Sequence, residues 1–137
     1  MTPMEASTQT ENLCNLAPVI PVLVIDDAST AADLAQALVA GGLPVLEVTL
    51  RTEAALDAIR AMAEVDGGVV GAGTLLTPYD VQQAVEAGAR FGVSPGVTDH
   101  LLEAVEIHDL PLLPGAATAS EAMRLLEDFV GDAIPIV

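Results

Sequence analysis

The run PVLEVTLRT, Pro44 to Thr52, puts a carboxylate, a hydroxyl and a guanidinium at every second position: Glu47, Thr49 and Arg51. Side chains of an extended strand alternate between faces, so these three share one side while Leu46, Val48 and Leu50 share the other. With the apolar side buried under helices, the polar row faces an interior pocket. Arg51, near the strand end, then offers a forked donor to a substrate carboxylate. Glu47 lies deeper, where partial desolvation raises the pKa of a carboxyl and suits it to shuttling a proton. The competing reading is an internal ion pair that helps set strand register.

Three further stretches hold small or polar residues where strands give way to loops. GAGT ends in Gly73 and Thr74, whose missing side chain and hydroxyl suit close approach of a small ligand. SPG (Ser94, Pro95, Gly96) and LPGAAT (with Pro114 and Gly115) are similar, and each by itself is equally a plain turn. The two histidines, His100 and His108, fall about two helical turns apart, too far to share a metal without help. No metal site is expected.

These residues need elements to hold them, and the chain supplies strand and helix patterns in alternation. APVIPVLVI is a buried-strand run, and STAADLAQALVAGG is a helix that Ser29 or Thr30 can cap and Gly41 can close. LPVLEVTL precedes TEAALDAIRAMAEV, whose Leu56, Ile59 and Met62 recur at helical spacing. GGVVGAGT precedes TPYDVQQAVEAGA, where Thr77 caps and Pro78 suits the first turn. RFGVSPGV leads into TDHLLEAVEIHD, and LPLLPGAAT into TASEAMRLLEDF with a Thr118–Glu121 capping pair. AIPIV starts a sixth strand. Residues 1–16 form a polar lead-in, helical or loose, and 17–137 form the βα domain.

Alternating strands and helices form a parallel sheet buried on both faces. Polar residues at strand C-terminal ends favour an incomplete (β/α)8 TIM-type barrel over an open doubly wound sheet. No G-x-G-x-x-G follows the first strand, which weakens a dinucleotide reading.

Composition bounds the rest. In 137 residues, 52% apolar and 18% charged, twenty acids face four bases, all arginine, for a net charge of −16. Such a surface repels phosphate backbones, so no nucleic-acid partner is expected. The single Cys14 excludes an internal disulfide. The polar start MTPMEASTQTENL lacks the basic and apolar regions of a leader, and no apolar run is long enough for a membrane span. A cytoplasmic protein is the expectation.

PVIPVLVI, ALVAGGLPVLEVTLRT, ALDAIRAM, VGAGTLL, AVEAGARFGVSPG and LPLLPGAATASEAM occur in order between Ala17 and Leu126. Together they resemble the 2-keto-3-deoxy-6-phosphogluconate and 2-keto-4-hydroxyglutarate aldolase family. The resemblance implies a (β/α)8 barrel, usually a trimer, with class I chemistry and no cofactor. A lysine of that family forms a Schiff base with the keto acid, which is cleaved to pyruvate and glyceraldehyde 3-phosphate. By the same resemblance Glu47 is the acid/base, and Arg51 and Thr74 hold the pyruvate carboxylate.

The family's lysine lies on strand six in a Lys-Phe-Phe-Pro pattern. Here GDAIPIV stands in that place, with Ile134 nearest, and the chain contains no lysine. Strands seven and eight, whose loops commonly build a phosphate site, have no counterpart. Two readings follow. One is an aldolase-family chain shortened or altered near its end, with the carboxylate-binding half intact and the covalent half lost. The other is a non-catalytic keto-acid-binding or self-assembling fragment, whose open strand edges lead to oligomers or aggregation.

Overall fold

Helix starts are where local chemistry is plainest in the computed structural model, which describes residues 1–128. The lead-in is helical: α1 spans Pro3–Leu16, opened by a capping box. The Glu5 N–H donates to Thr2 Oγ1 at 3.2 Å, and the Thr2 N–H donates to the Glu5 carboxylate at 2.7 Å. Thr77 and Asp80 repeat the device ahead of a helix at Pro78–Ala87. Thr118 and Glu121 do so for one at Ala119–Asp128.

Between these lie β1 (Val22–Leu23), α2 (Ala31–Ala40), β2 (Val45–Thr49), α3 (Ala55–Ala63) and β3 (Val69–Gly73). The helix after β3, Pro78–Ala87, is α4; β4 (Gly92–Ser94), α5 (Asp99–Ile107), β5 (Leu112–Pro114) and α6 (Ala119–Asp128) follow. The sixth-strand run AIPIV, with Ile134, lies outside the described residues.

The ends of α2 differ from expectation by a residue or more. Thr30 already has near-helical backbone angles and makes no side-chain cap; its hydroxyl turns back to the Asp27 carbonyl at 2.9 Å. Asp27 instead caps a short 3₁₀ turn, Ala28–Thr30, by accepting from the Ser29 N–H at 2.9 Å. At the other end Gly41 keeps φ near −81°, and Gly42 takes the left-handed conformation at φ 91°.

All five strands are parallel and lie in sequence order, β1-β2-β3-β4-β5. That order decides the architecture. A doubly wound sheet reverses its strand order at a switch point, which puts helices on both faces. Sequential right-handed crossovers put every helix on one face, leaving the other to become a barrel interior. Accordingly α2 packs on α3, α3 on α4 and α4 on α5. The described residues form five βα units of a (β/α)8-type barrel, with β1 and β5 as open edges.

The outward face holds the main core. Leu46 and Val48 of β2 and Val70 and Ala72 of β3 belong to one cluster with Ala35, Ile59, Met62, Val81 and Leu101 from the helices. Burying each larger aliphatic side chain contributes about 1.5–3 kcal/mol. On the inner face a smaller cluster joins Val45, Phe91 and Leu113 to Leu13 of α1. Thus α1 closes the N-terminal end of the sheet and leaves its C-terminal end clear.

Candidate active site

Every residue of β2 is buried, and Glu47 is its one ionisable member, 9% exposed. In register Glu47 is opposite Gly71, and Thr49 is opposite Gly73. The Glu47 carboxylate nevertheless lies over Gly73: a Cβ built there would be 2.1 Å from Oε1. The side chain therefore leans one pleat toward the C-terminal end of the sheet and crosses onto the neighbouring strand. Gly71, left vacant, is covered by the ring of Phe91 from the other side.

No hydrogen bond reaches the Glu47 carboxylate among the described residues. Burial raises its pKa above the ordinary carboxylate value, and the positive charge of Arg51 opposes that rise only in part. Chemically this is a carboxyl that holds its proton longer than usual and has no hydrogen-bond partner among the described residues to hold it still.

Arg51 arrives by a different route from the one its spacing suggests. The strand ends at Thr49, and the Leu50 N–H makes one further rung to the Gly73 carbonyl at 2.9 Å. The Arg51 N–H then donates back to the Thr49 carbonyl at 2.8 Å, so the chain turns and Arg51 is exposed. Two-residue alternation holds for Glu47 and Thr49 and stops there. Thr49 and Thr52 fasten this turn to the β1 side, through Leu23 (3.1 Å) and Ile25 (2.5 Å) carbonyls. The Thr49 hydroxyl is thus occupied by the backbone. None of the ion pairs among the described residues joins Glu47 to Arg51, so the register-setting bridge is absent there.

Thr74 follows Gly73 directly and has φ 64°, a left-handed backbone that a β-branched residue rarely adopts. Its hydroxyl makes no hydrogen bond among the described residues. Strain of this kind costs on the order of 1–3 kcal/mol and gathers at functional sites.

The other two loops are tied to one another. The Gly115 N–H donates to the Ser94 carbonyl at 2.8 Å, and a Cβ on Gly115 would stand 2.4 Å from the Pro95 carbonyl oxygen. Pro95 and Gly96 are exposed, whereas Pro114 and Gly115 are buried. Ser94 is wholly buried, with its Oγ unpaired among the described residues. Strand alternation puts it on the side of Gly92, whose α-carbon faces Leu75, Leu110 and Leu112 in the outer core. That is the face opposite Glu47. His100 is exposed and His108 half-buried, and no three His, Cys, Asp or Glu side chains gather to hold a metal among the described residues. A cavity of about 430 Å³ lies between the start of α1, α5 and β5, away from Glu47.

Sequence reasoning overlooked Phe91 and gave Gly73 only a loop's role. The signal for Phe91 was its position opposite Gly71 on the preceding strand, visible once strand register is known.

A family model described as KDPG and KHG aldolase matches residues 10–130. The chain belongs to this family. It is 51% identical over 117 residues to a KHG/KDPG aldolase of Escherichia coli K12, covering 85% of this chain and 55% of that one. The solved 2-keto-3-deoxy-6-phosphogluconate aldolase of Zymomonas mobilis ZM4 with 3-phosphoglycerate superimposes at a TM-score of 0.85. It shares 51% identity, with 89% of this chain and 58% of that one covered. A Legionella pneumophila KDPG aldolase, with pyruvate captured at low pH as a covalent carbinolamine, superimposes at 0.79. It shares 46% identity, with 85% and 57% covered. The chain thus spans a little over half the length of these aldolases. No helix among the described residues is long and apolar enough to cross a membrane.

Proposed function

We propose that the chain carries the keto-acid-binding and proton-transfer part of an aldolase acting on 2-keto-3-deoxy-6-phosphogluconate or 2-keto-4-hydroxyglutarate. The observation that carries this reading is the buried Glu47 carboxylate beside Gly73, unpartnered among the described residues and within the field of Arg51. The Arg51 guanidinium, without an ion-pair or hydrogen-bond partner among the described residues, pairs with the pyruvate carboxylate, and Thr74 adds its hydroxyl, unbonded among the same residues. Glu47, still protonated where an ordinary carboxyl has ionised, exchanges a proton with the reacting end of the keto acid.

A carbinolamine of the kind captured in the Legionella relative needs an amine. This chain has no lysine, so its 137 residues bind the keto acid without fixing it covalently, and turnover requires an amine from outside them. The α-amine of Met1 is held 2.6 Å from Asp109, at the cavity between α1 and α5.

A second reading rests on the open edge at β1: Val22 and, just beyond the strand, Val24 are 60% and 54% exposed. On that reading the chain assembles with copies of itself, as a homo-oligomer or an aggregate.

Pyruvate titrated into the isotope-labelled chain tests the first reading. Arg51→Leu is expected to weaken binding about tenfold or more, the worth of a charge-assisted pair. Borohydride added with pyruvate is expected to leave no stable adduct within the chain by mass spectrometry. Binding indifferent to Arg51→Leu, or a stoichiometric internal adduct, would refute the proposal.

A further inference from the structure

Gly73 is not a glycine for conformational reasons. Among the described residues the glycines with positive φ are Gly42, Gly67 and Gly88, and Gly73 is not one of them, so its backbone admits an ordinary residue. The space is what differs. The three atoms nearest to a Cβ built at position 73 all belong to the Glu47 side chain: Oε1 at 2.1 Å, Cδ at 2.9 Å and Cγ at 3.0 Å. A methyl group there collides with the carboxylate before it touches anything else.

We propose that Gly73 is a positioning residue for Glu47: the bare α-carbon on β3 is the seat that lets the carboxylate cross from β2 to the C-terminal end of the sheet. The seat places the acid at the level of Thr49 rather than its own register partner, over the residue that precedes Thr74 in the chain. Gly71, one pleat below, cannot serve, because Phe91 fills the space over it. The two glycines of β3 therefore sort the inner face into an aromatic floor and an acid above it. A residue with any side chain at position 73 turns the carboxylate aside, toward water and Arg51.

The significance of the seat for catalysis rests on the proposed role of Glu47, but the seat itself can be tested without a keto acid. The strands flanking Glu47 bring it Val22 and Gly71 in register and no ionisable group. Arg51, on the turn after β2, is the one charge acting on it among the described residues. Its titration therefore reports its own position.

The experiment compares the parent chain, Gly73→Ala, Glu47→Ala and the double variant by thermal unfolding, and follows the Glu47 carboxyl carbon by NMR across the acid range. Gly73→Ala is expected to lower the unfolding midpoint, and the loss is expected to vanish when Glu47→Ala is already present. The Glu47 titration, raised in the parent, is expected to fall toward the ordinary carboxylate range in Gly73→Ala. Where Gly73→Ala does not fold, recovery of a cooperative transition in the double variant supports the seat. Equal destabilisation with and without the Glu47 side chain overturns it, as does an unmoved titration in a folded Gly73→Ala. If these outcomes hold while pyruvate fails to bind, the seat stands and the keto-acid reading falls.

Discussion

The ring of Phe91 lies across the α-carbon of Gly71, so close that a side chain there would start 2.4 Å from its Cζ. Phe91 is wholly buried and belongs to the cluster that Leu13 of α1 closes from below. Helix, aromatic ring and glycine thus form one stack, and Glu47 stands beside it.

Gly71→Ala is therefore expected to destabilise the chain by about 1–3 kcal/mol, since a close-packed ring with no exposed edge has nowhere to retreat. Adding Phe91→Leu should recover part of the loss, because the smaller side chain can shift. Urea unfolding of the single and double variants measures both, and a neutral Gly71→Ala would show that the ring moves freely.

Glu47 gives stability a particular dependence on pH. Its folded pKa lies above the unfolded value because burial penalises the charge. Between those two values the folded state binds more protons than the unfolded one, so this group's contribution falls as pH rises through the window. Below the ordinary carboxylate pKa the effect is absent. Glu47→Gln should accordingly stabilise the chain at neutral pH relative to the parent, and the advantage should fade on acidification. Chemical denaturation of both proteins across the acid range checks this, and a constant difference at every pH would contradict it.

The exposed edge at β1 leads to a prediction about salt. Val22 and Val24 invite pairing, while a net charge of −16 drives copies apart. Screening weakens the repulsion and leaves the apolar contact intact. The apparent mass by light scattering should rise with ionic strength, and Val24→Lys should suppress the rise. A mass independent of both salt and substitution would show that the edge is inert.

How far the sequence reveals this molecule depends on the range over which each feature is determined. The Thr77 cap with Pro78 behind it and the Thr118–Glu121 pair are local and were evident from the sequence, while Asp80's return bond to Thr77 emerged only in the structure. The parallel sheet was equally plain from alternation. Arg51 was harder, because its place depends on where pairing with β3 stops, and periodicity alone carries a strand past its last rung. The left-handed residue after α2 moved from Gly41 to Gly42 because two adjacent glycines offer the same turn twice. Ser94 was expected near the pocket, yet strand parity puts it with the outer core. Gly73 and Phe91 gain their meaning only from register between strands, which a single sequence does not display.

The left-handed backbone at Thr74 sets two selective pressures against each other. Glycine at that position would relax the chain and forfeit the hydroxyl; threonine keeps the hydroxyl and accepts the strain. A laboratory lineage selected for heat resistance alone should drift toward glycine there, while one selected for keto-acid use should hold threonine. Position 74 can thus report which of the two demands a descendant of this chain has been under.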